Sequence, residues 1–110
     1  MSQPLPPQFE IRTARINGSA YVTVRGELDI ATADQLHAVL SEEAANGGML
    51  VLDIGGLEFI DSTGIRVLVV AWNESQRDGF NLRLTRGSDT VMRAFELVGL
   101  LHELPFLGRY

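Results

Sequence analysis

Hydrophobic and polar residues alternate along two short runs near the start of the chain, as they do in strands with one buried face. Between the runs lies Asn17-Gly18, a pair that accepts the positive φ angles of a two-residue hairpin turn. The pattern predicts antiparallel strands over about 9–15 and 20–25, after which Gly26-Glu27-Leu28-Asp29 leaves the sheet. The alternating apolar positions are Phe9, Ile11, Ala20, Val22 and Val24.

A helix and a buried strand are predicted next. Thr32 is a candidate N-cap, apolar residues then recur at close to helical spacing, and Asn46-Gly47-Gly48 ends the helix. The run over 49–54 is apolar except for Asp53, which is typical of a strand buried on both faces of a parallel sheet. Gly55-Gly56 predicts a turn after it. The apolar positions of the helix are Leu36, Val39, Leu40 and Ala44.

The segment 65–78 is ambiguous, because its β-branched side chains would also suit a strand. We predict a helix, since the segment follows capping residues, exceeds the length of an average strand and ends at Asp78-Gly79. Leu82 and Leu84 then alternate with polar residues as in another strand. The β-branched residues of the ambiguous segment are Ile65, Val67, Val69 and Val70.

Ser88 or Asp89 caps a third predicted helix, which ends at Gly99. A last short strand is predicted over 103–107, at an edge or irregular, because Pro105 lacks a backbone N–H. The order ββαβαβα(β) indicates an α/β fold with a mostly parallel sheet, an N-terminal antiparallel strand and helices packed on it. The apolar face of the third helix comprises Val91, Ala94, Phe95 and Val98.

Length and composition indicate one domain and exclude several classes of site. The 110 residues suit a flexible lead over 1–8, a single domain over 9–107 and a tail over 108–110. The lack of cysteine excludes disulfides and thiolate metal sites. We expect a cytoplasmic protein with no membrane partner, because no run reaches the roughly 18–20 apolar residues of a span. The net charge of −5 and nine scattered arginines argue against nucleic acid.

One short motif lies where a strand is predicted to give way to a helix. In Asp61-Ser62-Thr63-Gly64 the residue types are those of an N-cap, and capping alone would explain them. The first turn of a helix also presents unpaired N–H groups, and a hydroxyl there is accessible to another protein. Residue types and spacing therefore leave open both a plain cap and a phosphorylatable hydroxyl.

A longer stretch around this motif resembles a known family. Leu57 to Leu68, LEFIDSTGIRVL, resembles the motif of the STAS domain, and specifically of anti-sigma factor antagonists. Other segments are similar to the family in the same order, so that the resemblance covers about positions 9–104. These segments are Gly26–Asp29 with Ala31–Ala33, Val51–Asp53, Gly79–Leu84 and Arg93–Leu100.

The resemblance implies a STAS-like fold and a regulator that binds proteins and is not an enzyme. It implies that Ser62 is phosphorylated by a partner that is both anti-sigma factor and serine kinase. The unphosphorylated antagonist would bind this partner, which would then release its sigma factor. The phosphorylated antagonist would not bind, and a phosphatase would return it to the unphosphorylated form. No cofactor of the chain's own is expected, since the kinase brings ATP and Mg²⁺.

Further residues are candidate contacts with that partner. Asp29 matches an acidic family residue expected near the serine, although a solvated loop position would explain it equally. Asp61 and Gly64 would shape the turn, and Gly64 leaves room for another backbone, unless it is merely a tolerated small residue. Thr63 is a second hydroxyl there, for which hydrogen bonding at the helix start is the simpler explanation.

On a helical wheel the segment 65–78 carries two apolar stripes, whereas a surface helix needs one. The first, which includes Trp72, is assigned to the core. We predict that the second, Val67, Val70 and Ala71, forms part of the docking surface, the alternative being that it packs under the third helix or the C-terminal tail. The first stripe comprises Ile65, Leu68, Val69 and Trp72.

Other functions find less support. A hydrolase would need His37 or His102 brought to Ser62, and the chain has neither a Gly-x-Ser-x-Gly elbow nor a Walker loop. Many family members continue into a C-terminal helix, whereas this sequence stops at Tyr110, so that this helix is either absent or replaced by an irregular tail. If the tail does not cover the third helix, apolar surface is left for a partner or for a dimer, and we expect a monomer or a weak dimer. The alternatives are a STAS subunit of a signalling scaffold or lipid-transport complex, and a nucleotide- or anion-binding sensor.

Overall fold

The fold is a four-stranded sheet with three helices, known from a computed structural model that describes residues 9–108. The predicted lead over 1–8 lies outside the described residues, as do the last two positions of the tail. The elements are β1 (Phe9–Ile16), β2 (Ser19–Leu28), α1 (Ala33–Ala44), β3 (Met49–Ile60), α2 (Ser62–Asp78), β4 (Asn81–Leu84) and α3 (Asp89–Leu97).

The strands lie in the order β1-β2-β3-β4, with β1 antiparallel to β2 and the other pairs parallel. This confirms the predicted α/β fold. It also places the carboxyl ends of β2 and β3 side by side at one edge of the sheet, where α1 follows β2 and α2 follows β3. In α/β folds, binding sites lie at such an edge.

Two expectations about strand ends were wrong. Gly55-Gly56 forms no turn, since β3 runs through it to Ile60, and Gly26 to Leu28 remain in β2 instead of leaving the sheet. The reason is an irregular register in which Arg25 pairs with Gly56. A Cβ at Gly56 would lie 2.7 Å from the Arg25 Cγ, so glycine permits this close strand contact. The paired glycines mark a bulge inside a long strand.

The last predicted strand is reduced to a single parallel bridge between Leu84 and Phe106. The Leu84 N–H donates to the Pro105 carbonyl, and the Leu107 N–H donates to the Leu84 carbonyl. The Phe106 ring meets Phe95 of α3 edge-on at 5.2 Å between centroids. The tail therefore packs beside β4 as an irregular segment, in keeping with the missing N–H of Pro105.

The core is one apolar cluster shared by the sheet and all three helices. The predicted alternation of β2 is confirmed, since Ala20, Val22 and Val24 are buried. The helices α1 and α2 also pack against each other, and His37 Nε2 of α1 lies 2.9 Å from Glu74 Oε1 of α2. None of the helices within residues 9–108 is long and apolar enough to cross a membrane.

Candidate partner-binding site at the start of the second helix

Asp61 determines how α2 begins. Its Oδ1 accepts a hydrogen bond from the Gly64 N–H at 2.9 Å, and its carbonyl accepts one from the Ile65 N–H at 2.9 Å. Asp61 is thus the N-cap of α2. The cap role leaves Ser62 without a capping task, and Ser62 is exposed. From the sequence, a plain cap and an accessible hydroxyl were two alternatives. In the structure both are present, because Asp61 caps α2 and Ser62 is the exposed residue.

The end of β2 holds the start of α2 in place. The Asp61 N–H donates to the Leu28 carbonyl at 3.1 Å. Gly64 is buried against the same carbonyl, and a Cβ there would lie only 2.6 Å from the Leu28 oxygen. The room that Gly64 leaves is thus taken by the backbone of its own chain. This close contact brings Ser62 beside the residues that follow β2.

Those residues form a tight turn around Asp29. The Asp29 N–H donates to Thr32 Oγ1 at 3.0 Å, and that hydroxyl lies 2.9 Å from the Glu27 carbonyl, to which it donates. The Asp29 Oδ1 accepts from the Ala31 N–H at 2.9 Å. Thr32 occupies the predicted N-cap position, yet its side chain makes no cap bond with α1. It instead holds the half-buried Asp29 beside the start of α2.

In the second apolar stripe of α2, Val67 and Val70 line a groove together with residues of α1, and no residue of α3 or of the tail lines that groove. Val67 and Val70 are half-buried, whereas Ala71 is 3 % exposed within the core. Because a buried methyl cannot touch a partner, Ala71 drops out of the predicted docking surface. A shallow groove of about 300 Å³ remains between the helices. Its walls include Ala33, Asp34 and His37 of α1 and Thr63, Val67 and Val70 of α2.

Two exposed apolar residues at the same edge of the sheet escaped the sequence analysis. Ile30, in the turn after β2, is 79 % exposed, and Phe59, near the end of β3, is 47 % exposed. Exposed apolar side chains beside an accessible hydroxyl favour a protein-binding surface. Ile30 lies outside both the predicted strands and the predicted helices. An apolar residue isolated in this way was the signal by which the sequence could have identified it. Phe59 was hidden because the bulge shifts the alternation of β3.

Other chemistries find no built site here. Within residues 9–108, no three His, Asp or Glu side chains gather as metal ligands. At the far end of α2, Arg77 donates a hydrogen bond to the Asp78 carboxylate, and this bond, together with the charge of the carboxylate, raises the pKa of Arg77. His102 lies in the tail, at another groove than the one that contains Thr63. The arrangement thus offers an accessible hydroxyl on a rigid turn.

Comparison with known proteins identifies the family of this chain. The family model of the STAS domain matches residues 10–108. The chain belongs to the STAS domain family. This STAS domain is 32 % identical over 99 residues to the anti-sigma-F factor antagonist RsfB of Mycobacterium tuberculosis, an alignment that covers 86 % of the chain and 78 % of RsfB.

Solved structures share the fold of this STAS domain. An anti-sigma factor antagonist from Mycobacterium paratuberculosis superposes with a TM-score of 0.82 at 22 % identity, over 97 % of this chain and 92 % of that one. The anti-sigma factor antagonist SpoIIAA in its unphosphorylated form superposes with a TM-score of 0.74 at 20 % identity, over 92 % and 89 %. Its phosphorylated form gives 0.69 at 18 % identity, over 92 % of each chain.

The cap of α2 is open to a direct test in this STAS domain. We expect Asp61→Ala to lower the free energy of unfolding by about 1 kcal/mol, because the Gly64 N–H loses its acceptor. Asp61→Asn keeps an oxygen in place and should retain most of that stability. Urea unfolding of the three proteins measures the difference. Equal stability of the alanine and asparagine variants would contradict the assigned cap.

Proposed function

We propose that this STAS domain is an anti-sigma factor antagonist whose Ser62 accepts a phosphoryl group in a partner switch. One observation carries the proposal. Ser62 is exposed directly after the capping Asp61, on a turn fixed by the Leu28 carbonyl. The proposal is supported by the curated relatives, among them RsfB and the anti-sigma-B factor antagonist of Bacillus subtilis, which is 30 % identical over 79 residues.

In the proposed switch, the unphosphorylated chain binds an anti-sigma factor that is also a serine kinase, and the sigma factor is released to activate transcription. The kinase then transfers the γ-phosphoryl group of ATP to the Ser62 Oγ. The hydroxyl proton passes to a base of the kinase, and ADP leaves. A phosphatase hydrolyses the phosphoserine and restores the starting form. All of these partners act in the cytoplasm, and the chain supplies no catalytic group.

The proposed docking surface surrounds Ser62 at the edge of the sheet. It includes the Asp29 turn, the half-buried Thr63 and the valines of the groove, Val67 and Val70. Ile30 and Phe59 add exposed apolar area at this edge. Three of the predicted site residues have a structural role beneath or beside this surface. Asp61 caps the helix, Gly64 allows the close contact with β2, and Ala71 fills the core beneath the groove.

The phosphoacceptor can be identified by intact mass. We expect the wild-type chain to gain one phosphoryl group when it is incubated with its anti-sigma factor kinase, ATP and Mg²⁺. Ser62→Ala should gain none, because the exposed hydroxyl is gone. Thr63→Ala is the matched control, since it removes the neighbouring hydroxyl and leaves Ser62 in place. It should still gain one phosphoryl group.

Two results would contradict this assignment. A phosphoryl gain in Ser62→Ala that disappears in Thr63→Ala would move the site to the second hydroxyl. No gain in the wild-type chain, with a kinase that binds it and phosphorylates another antagonist, would favour a STAS subunit of a scaffold. In that case Ser62 would be only the first residue of α2.

A further inference from the structure

Arg66 is a cation placed beside the proposed phosphoacceptor. It is the fifth residue of α2, it is exposed, and it lines the groove that also contains Thr63 and Asp34. Arg12 and Arg77 form ion pairs with neighbouring carboxylates. Across the described residues 9–108, by contrast, no ion pair or hydrogen bond engages the Arg66 guanidinium. The Arg66 guanidinium is therefore available to pair with a negatively charged group.

The direction of the Arg66 side chain follows from helix geometry. Residues at positions i and i+4 of a helix are neighbours on its surface, with about 5–6 Å between their Cβ atoms. Side chains on a helix also lean towards its N-terminus, so that each covers the turn before its own Cα. Ser62 and Arg66 are four residues apart in α2. The guanidinium can thus extend over the turn that presents the Ser62 hydroxyl.

The acidic groups around Ser62 make a countercharge necessary. Asp61 precedes it directly, Asp29 follows the Leu28 whose carbonyl accepts the Asp61 N–H, and Asp34 borders the groove on α1. A phosphoserine loses its second proton with a pKa of about 6. Nearby carboxylates raise that pKa, because they disfavour the dianion. Without a compensating cation, part of the phosphoserine would hold only one negative charge near neutral pH.

We propose that Arg66 binds the phosphoryl group of phosphorylated Ser62 within the same chain and stabilises its dianionic state. The proposal rests on the proposed function, since it requires phosphorylation at Ser62. An arginine donates charge-assisted hydrogen bonds to phosphate oxygens, and at an i, i+4 spacing it needs no movement of the backbone. Phosphorylation then has two effects on the docking surface. It adds a dianion at Ser62, and it turns the Arg66 cation away from the groove.

The test uses phosphoserine encoded genetically at position 62, so that it does not depend on any kinase. Phosphorus NMR follows the second ionisation of the phosphoserine as the pH is varied. We expect the pKa in the chain with Arg66 to lie about 0.3 units below that in Arg66→Gln, the size expected for an exposed pair. The difference should vanish at about 1 M salt, where the Debye length falls to about 3 Å. His37 also lines this groove, but it is present in every variant, so its contribution cancels in the comparison.

Arg77→Gln is the matched control, because it removes the same charge from the far end of the same helix. It should leave the phosphoserine pKa unchanged. The Nε–H resonance of Arg66 should also shift between the serine and phosphoserine forms, while that of Arg77 should not. Equal pKa values with and without Arg66 would overturn the inference. So would equal changes in Arg66→Gln and Arg77→Gln, since they would show an effect of net charge alone. A failure of kinase phosphorylation would instead overturn the proposed function and leave this measurement standing.

Discussion

Ser62→Asp is expected to weaken binding of the anti-sigma factor kinase by about a hundredfold or more, equivalent to about 3 kcal/mol. For phosphoryl transfer, the Ser62 hydroxyl must lie close to the γ-phosphate of ATP in the docked complex. A carboxylate at this position therefore meets the phosphates of the nucleotide and loses its water shell in the interface. Titration calorimetry with a purified kinase that binds the wild-type chain, in the presence of nucleotide, measures the loss.

Loss of folding cannot explain such a result. Ser62 is exposed in the first turn of α2, where a negative charge is favourable to the helix, so Ser62→Asp should unfold no more easily than the wild type. Ser62→Asn has the same shape without the charge, and it should bind far more tightly than Ser62→Asp. Ser41→Asp adds a charge at an exposed position of α1 outside the docking surface and should bind as the wild type does. If Ser62→Asp binds as tightly as Ser62→Asn, charge at this position does not control the switch.

Local sequence signals were sufficient for the helix that carries the site. The ambiguous segment 65–78 proved helical because its two ends are fixed by local chemistry. Asp61 caps the start through the Gly64 N–H, and Gly79 ends it with a positive φ of 81°. These signals involve residues within a few positions of one another. The motif left open whether Ser62 is exposed, and the structure shows that it is.

Contacts between segments far apart in the chain could not be predicted from such local signals. Gly55-Gly56 was predicted as a turn, since paired glycines usually mark one, and only the pairing of Gly56 with Arg25 of β2 shows why the strand continues. The burial of Ala71 likewise depends on how closely α1 packs against α2. A helical wheel of α2 alone does not show this packing. In each case the deciding contact joins residues far apart in the chain.

The rigid attachment of α2 to β2 explains how a single modification could act without refolding. The Leu28 carbonyl accepts the Asp61 N–H and also touches Gly64, so both sides of Ser62 are held by one backbone group. The Asp29 turn follows directly and is braced by Thr32. A charge added to Ser62 would therefore lie at a fixed place in the proposed docking surface. The surface changes in charge while its shape is maintained.

Gly64→Ala is expected to lower the free energy of unfolding by about 2 kcal/mol or more, because the added methyl has no space. It would lie 2.6 Å from the Leu28 carbonyl oxygen and 2.9 Å from side-chain atoms of both Leu28 and Ile60. The oxygen belongs to the backbone of β2, so either α2 or the end of the strand must shift. In an exposed helix the same substitution would stabilise by about 0.5–1 kcal/mol, so a loss here isolates the steric effect. Urea unfolding measures it.

Asn73→Ala provides the matched control, since Asn73 is exposed on the same helix and alanine there tests helix propensity alone. It should be as stable as the wild type or slightly more so. If Gly64→Ala folds, the strain should move the start of α2 away from β2, so the Asp61 amide, which donates to the Leu28 carbonyl, should exchange with solvent faster. A Gly64→Ala protein that is as stable as Asn73→Ala, with an unchanged Asp61 amide, would show that the start of α2 is not held against β2 and that the turn carrying Ser62 is free to move.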